Sequence, residues 1–141
     1  MKNIMFFCIP AYGHHNPTIA VVKELVNRGN RVRYYSFNEF KDKIESTGAD
    51  FISCDAYLPE VSDDIVSGAS TMSTTEMTIV DLRITARMDG FLKEQVEEFK
   101  PDVIVTDSVC FWGKLTARKY KIPMVVSTTT FFDIPVFCSN G

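Results

Sequence analysis

The heptapeptide A-Y-G-H-H-N-P, residues 11–17, holds both histidines of the chain, His14 and His15. A dinucleotide site at this position would need G-x-G-x-x-G between a strand and a helix, and only Gly13 is present. A phosphate loop of the G-x-x-x-x-G-K-[ST] type is not found either. Adjacent histidines in a tight loop point apart, and no Cys, Asp or Glu lies close in sequence to complete a metal site. No cofactor and no metal are therefore expected. General-base chemistry fits better. A histidine at the amino end of a helix sits at the positive end of the dipole, which favours the neutral, proton-accepting imidazole. A base of this kind needs a carboxylate that stabilises the imidazolium as it forms. Asp107, at the end of D-V-I-V-T-D, is the candidate. A bland alternative stands beside this one: a histidine that only bonds loop backbone, and an Asp107 that only caps the following helix. On these residues alone both readings stay open.

Whether His14 and Asp107 can meet depends on the elements that carry them. N-I-M-F-F-C-I-P is a near-continuous apolar run, as a strand covered on both faces requires. P-T-I-A-V-V-K-E-L-V-N-R-G follows with apolar residues at Ile19, Val22, Leu25 and Val26, the spacing of a helix face. Pro17 suits its first position, Asn16 its N-cap and Gly29 its stop. R-V-R-Y-Y-S-F, a short helix closing on Gly48, and D-F-I-S-C come next. Residues 59–75 are polar and small with no period, and read as a long loop of the functional or mobile kind. A long helix is expected from about Glu76 to Phe99, with a candidate bend at Gly90 and its end marked by Pro101. D-V-I-V-T-D, a helix over F-W-G-K-L-T-A-R-K-Y, and P-M-V-V-S-T-T complete the series. Five strands alternating with helices predict an α/β, doubly wound Rossmann-like domain with a parallel sheet in the order 3-2-1-4-5. Ligands bind such sheets at the carboxyl ends of the strands, where the loop after strand one and Asp107 both lie.

Composition sets outer bounds. The 141 residues suffice for one domain with a real core. The net charge of −3 comes without any Lys/Arg stripe, so nucleic acid is not an expected partner. Cys8, Cys54, Cys110 and Cys138 are too scattered for a zinc site or a disulfide framework, and suit reduced core thiols in the cytoplasm. The apolar run near the N-terminus is too short for an export signal and is better read as a buried strand. No stretch approaches the ~20 apolar residues of a membrane span.

The segment F-F-C-I-P-A-Y-G-H-H-N-P through R-V-R-Y-Y-S-F resembles the opening of GT-B glycosyltransferases, closest to the macrolide-type, UDP-sugar-dependent branch. That pattern is an apolar strand, a loop ending G-H-x-N-P, and an amphipathic helix closing on R-G-[HN]-x-V. Gly13, His14, Asn16, Pro17, Arg28, Gly29 and Val32 fill it. F-K-D-K-I-E-S-T-G-A-D-F-I is similar to the family's next segment. K-P-D-V-I-V-T-D-S-V-C-F-W-G-K-L-T-A-R-K-Y-K-I-P-M-V-V-S-T resembles P-D-x-[IV]-x-x-D, a helix, then x-[IV]-P-x-[IV]. The match covers most of the chain and weakens between residues 60 and 90.

Carried over residue by residue, the resemblance implies that His14 deprotonates an acceptor hydroxyl and that Asp107 pairs with it. His15 falls on the variable position and receives no chemistry; it is a candidate lining residue of the acceptor pocket, and its replacement is expected to be close to neutral. Tyr12, Phe111, Trp112, Phe131 and Phe132 are further acceptor-wall candidates, with plain core packing a strong alternative for Phe111 and Trp112. Residues 1–141 then correspond to the acceptor-binding domain of an inverting transferase. The donor, a nucleotide diphosphate sugar, would be held mainly by a C-terminal domain that is not in the sequence. The implied partners are a small apolar acceptor and, with the second domain absent, a further copy of the chain through exposed apolar surface. The competing class is a non-catalytic α/β module that binds a small ligand or a protein at the same rim.

Overall fold

The computed structural model describes residues 1–9, 12–57 and 73–128. Five strands form one sheet: β1 (Asn3–Phe7), β2 (Arg31–Ser36), β3 (Asp50–Ser53), β4 (Val103–Asp107) and β5 (Met124–Ser127). Their order is β3-β2-β1-β4-β5 and every pairing is parallel, as the alternation of strand and helix patterns predicts. The helices are α1 (Tyr12–Asn27), α2 (Lys41–Glu45), α3 (Thr74–Phe99) and α4 (Phe111–Lys119), with 3-10 turns at Asn38–Phe40 and Asp55–Tyr57.

The central strand β1 is buried along almost its whole length, which is why its sequence is apolar without alternation. Its register against β2 sets Phe6 opposite Tyr34 and Phe7 opposite Tyr35. Successive side chains of a strand leave on opposite faces, so these pairs stack on either side of the sheet, with ring centroids 4.7 and 4.8 Å apart. Gly29 and Gly48 end α1 and the α2 turn in the left-handed region, at φ 87° and 88°.

Two helix starts differ from expectation. The long helix begins at Thr74 rather than near Glu76, because Ser73 and Glu76 form a reciprocal capping box: the Ser73 hydroxyl accepts from the Glu76 N–H, and the Glu76 carboxylate accepts from the Ser73 N–H. The helix runs unbroken through Gly90 to Phe99, and Lys100 caps it in the left-handed region. The first helix begins at Tyr12, so Pro17 lies inside it and Asn16 is not its cap. The Asn16 amide oxygen instead accepts from Lys43 Nζ at 2.8 Å. Pro17 lies near the amino end of the helix and lacks the N–H that would otherwise bond the Gly13 carbonyl. Both histidines therefore sit on the first helical turn and not in a loop.

Candidate active site

Consecutive residues on a helix leave it about 100° apart. His14 and His15 accordingly face different surroundings. His14 points along the carboxyl rim of the sheet toward β4, where its Nδ1 lies 2.6 Å from Asp107 Oδ2. Asp107 is 1% exposed, whereas the His14 side chain keeps 19% of its surface open. A carboxylate can only accept, so the proton of a neutral His14 sits on Nδ1 and its lone pair on Nε2. The predicted proximity of these two side chains, 93 positions apart, is thus observed. The competing role for Asp107 is not: the N-cap of α4 is Cys110, and no side chain caps it.

His15 turns the other way and is fully buried. It lies flat on Phe40, and its Nε2 is 2.5 Å from Ser36 Oγ. Its Nδ1 faces Cys8 Sγ at 3.7 Å. A histidine that is 0% exposed, with the Phe40 and Tyr34 rings, Ser36 and Cys8 among its neighbours, has no surface for an acceptor, so the expected lining role does not agree with its place. Trp112 is likewise in the core, 1% exposed, while its neighbour Phe111 is 44% exposed on the first turn of α4. Tyr12 opens α1 on the same rim. Phe131 and Phe132, and nearly all of the loop over residues 59–75, lie outside the described residues.

Three groups at the site were not anticipated. Cys8, directly after β1, is buried with Sγ 4.0 Å from Asp107 Oδ2. Burial, then the Asp107 charge, pushes its thiol far above the ordinary range, so it stays protonated. Asp81 of α3 approaches the amino end of α4. Burial pushes its carboxyl up to about 6; the Phe111 backbone N–H pulls it down, Asp107 adds to the rise, and Lys114 opposes it. Lys114 Nζ itself donates to the Ser108 carbonyl, pinning the turn that follows Asp107. Cys8 could have been found from the strand order, since it leaves β1 beside the residue that leaves β4. Asp81 gives no such signal.

Among the described residues no cluster of His, Cys, Asp and Glu could hold a metal, and no helix is long and apolar enough to cross a membrane. Cys8, Cys54 and Cys110 are buried free thiols.

No family model matches the chain. It is 33% identical over 141 aligned residues to demethyllactenocin mycarosyltransferase of Streptomyces fradiae, covering 93% of this chain and 30% of that protein. It is 33% identical over 133 residues to the NDP-glycosyltransferase YjiC of Bacillus licheniformis, covering 92% and 33%. Among solved structures, the calicheamicin glycosyltransferase CalG4 superposes with a TM-score of 0.72 at 24% identity, over 94% of this chain and 33% of that one. The glycosyltransferase of kitacinnamycin superposes with a TM-score of 0.70 at 25% identity. The chain spans about a third of the length of the curated relatives it matches. In sequence and in fold, the chain corresponds to the N-terminal part of the macrolide-type natural-product glycosyltransferases of the GT-B class.

Proposed function

We propose that residues 1–141 are the acceptor-binding domain of an inverting glycosyltransferase that moves a sugar from a nucleotide diphosphate, a UDP-sugar, to a hydroxyl of a small apolar acceptor. The observation that carries this reading is the 2.6 Å contact between His14 Nδ1 and Asp107 Oδ2 at the carboxyl rim of the sheet. With the proton of the imidazole on Nδ1, Nε2 is the nitrogen that takes the acceptor proton. The acceptor oxygen attacks the anomeric carbon from the face opposite the diphosphate, the bond from that carbon to the phosphate oxygen breaks, and the configuration inverts. Asp107 holds the ring in the required tautomer and stabilises the imidazolium. Tyr12 and Phe111, with Phe131 and Phe132, are the proposed acceptor contacts. A donor-binding domain supplies the grip on the diphosphate, and the protein works in the cytoplasm, where buried thiols stay reduced.

The test is sugar transfer by the complete enzyme from UDP-sugars to small apolar alcohols and phenols, with His14→Ala alongside. Turnover that depends on His14 and gives the inverted anomer supports the reading. Acceptor binding without any turnover would favour a binding module instead. Residues 1–141 alone are expected to be inactive, and micromolar UDP binding by that segment in calorimetry would contradict the division of labour.

A further inference from the structure

His15 and Cys8 form a buried polar path behind the His14–Asp107 pair. Ser36 Oγ lies 2.5 Å from His15 Nε2, His15 Nδ1 lies 3.7 Å from Cys8 Sγ, and Cys8 Sγ lies 4.0 Å from Asp107 Oδ2. Ser36, His15 and Cys8 are each 0% exposed, so no bulk water competes for these contacts. We propose that these three side chains form a one-way hydrogen-bond relay ending on the Asp107 carboxylate, in which Cys8 and His15 act as positioning residues for the His14–Asp107 pair.

The direction follows from the inventory of hydrogens. A carboxylate has none to give, so the thiol donates to Oδ2. A thiol has one hydrogen; once it is spent on Asp107, the sulfur can only accept from His15, which puts the imidazole proton on Nδ1. A neutral imidazole has one N–H, so Nε2 is bare and accepts from the Ser36 hydroxyl. Tyr34 also hydrogen-bonds the same sulfur, and between its neutral hydroxyl and the charged Asp107 carboxylate the carboxylate is the stronger acceptor for the thiol hydrogen. Thr18 Oγ1 gives its hydrogen to the His15 carbonyl, 2.6 Å away, and is thereby the acceptor for the Tyr34 hydroxyl at 2.8 Å. Every link of the relay points toward Oδ2, and bonds aligned head to tail polarise one another. Oδ2 then receives hydrogens from two sides, His14 Nδ1 and the Cys8 thiol. These two donors on Oδ2, with the Ser108 hydroxyl 3.5 Å from Oδ1, fix the rotation of the carboxylate, and the thiol draws off part of the charge that would otherwise act on His14.

The relay gives the second histidine of the pair a purpose, and it rests on the catalytic reading of His14 only for its consequence, not for its existence. Histidine-selective nitrogen NMR of the intact chain tests it without any turnover, so failure of the relay and failure of the transferase reading are told apart. His15 is expected as the Nδ1–H tautomer. Cys8→Ala removes the competing donor from Oδ2, so the His14 Nδ1 proton should move downfield as its bond to Asp107 strengthens; Cys8→Ser, which restores a donor, should return it toward its original position. Finding the His15 proton on Nε2 would reverse the relay and overturn the proposal. An unmoved His14 proton in Cys8→Ala would overturn it as well. If Cys8→Ala does not fold, the tautomer in the unaltered chain still decides.

Discussion

The imidazole of His15 lies parallel to the ring of Phe40, with centroids 3.7 Å apart and planes 3° from coplanar. This contact belongs to a fully buried side chain that also bonds Ser36. His15→Ala would leave a cavity beside Phe40 and an unsatisfied Ser36 hydroxyl. The expected cost is about 2–4 kcal/mol of stability, in place of the near-neutral effect that a variable motif position suggests. Denaturant unfolding of the variant measures it.

At His14 the expected effect is on rate. In the complete enzyme, His14→Ala should lose roughly 10²–10⁴-fold in turnover, the usual worth of a placed base. Asp107→Asn should lose as much or less while acceptor binding holds, because an amide keeps the shape but not the charge. Steady-state kinetics with a separate acceptor-binding measurement would expose the opposite pattern, intact kcat with lost binding.

For Asp81 the prediction is a pH dependence. Its folded carboxyl keeps its proton up to about 6, against 3.8 for the ordinary value. A raised acid stabilises the fold fully below the lower value, and that contribution is lost as pH rises through the higher one. At pH 7 the ionised, partly buried group therefore costs stability. Asp81→Asn stays neutral and can still accept from the Phe111 N–H. After allowance for solvent screening it should gain on the order of 1 kcal/mol at pH 7. The gain should vanish toward pH 4, and an equal gain at both pH values would exclude this cause.

Gly113 marks the close approach of α4 to the sheet. A Cβ there would sit 2.9 Å from Thr106 Cβ and 3.0 Å from Phe7 Cβ, and nearer still to the Thr106 hydroxyl. Alanine would improve helix propensity by up to ~1 kcal/mol, but overpacking against two strands costs about 1–3 kcal/mol. Gly113→Ala should destabilise the chain in thermal or denaturant unfolding. A raised melting temperature would mean that α4 can slide.

Among the described residues β5 forms one edge of the sheet, and its Met124, Val125 and Val126 are all exposed. Consecutive strand residues face opposite sides, so this edge shows apolar side chains on both faces. An apolar edge of this kind pairs readily with another chain, and a lysine blunts it. We expect the 141-residue chain to self-associate and Val125→Lys to weaken that association. Light scattering that finds the unaltered chain monomeric at high concentration would remove the basis for the prediction.

The strands were legible because each is a short stretch rich in Val, Ile, Phe or Tyr between turn signals, and the meeting of His14 with Asp107 was legible because the expected sheet order brings their strand ends together and the family resemblance matches both positions. The start of α1 was not, since Pro17 is favoured at a first position and nothing in the sequence announces a helix five residues earlier. That error had a consequence: residues in a loop have no fixed angular relation, so the burial of His15 could not be derived. On a helix the two histidines must diverge, and one of them goes inward. Trp112 beside Phe111 follows the same rule at the start of α4.

The pairing of β1 with both β2 and β4 also sets an order of events. Ile4 meets Val32 across a short connection, but meets Val103 only when nearly a hundred residues of chain have been closed into a loop. Distant pairings of this kind cost more loop entropy and form more slowly than local ones. The β1–α1–β2–α2–β3 segment can thus assemble by short-range contacts, carrying His14 with it, while Asp107 arrives with β4. On a ribosome the histidine would be in place well before its carboxylate is synthesised, and the site would come into being only with the long-range closure of the whole domain.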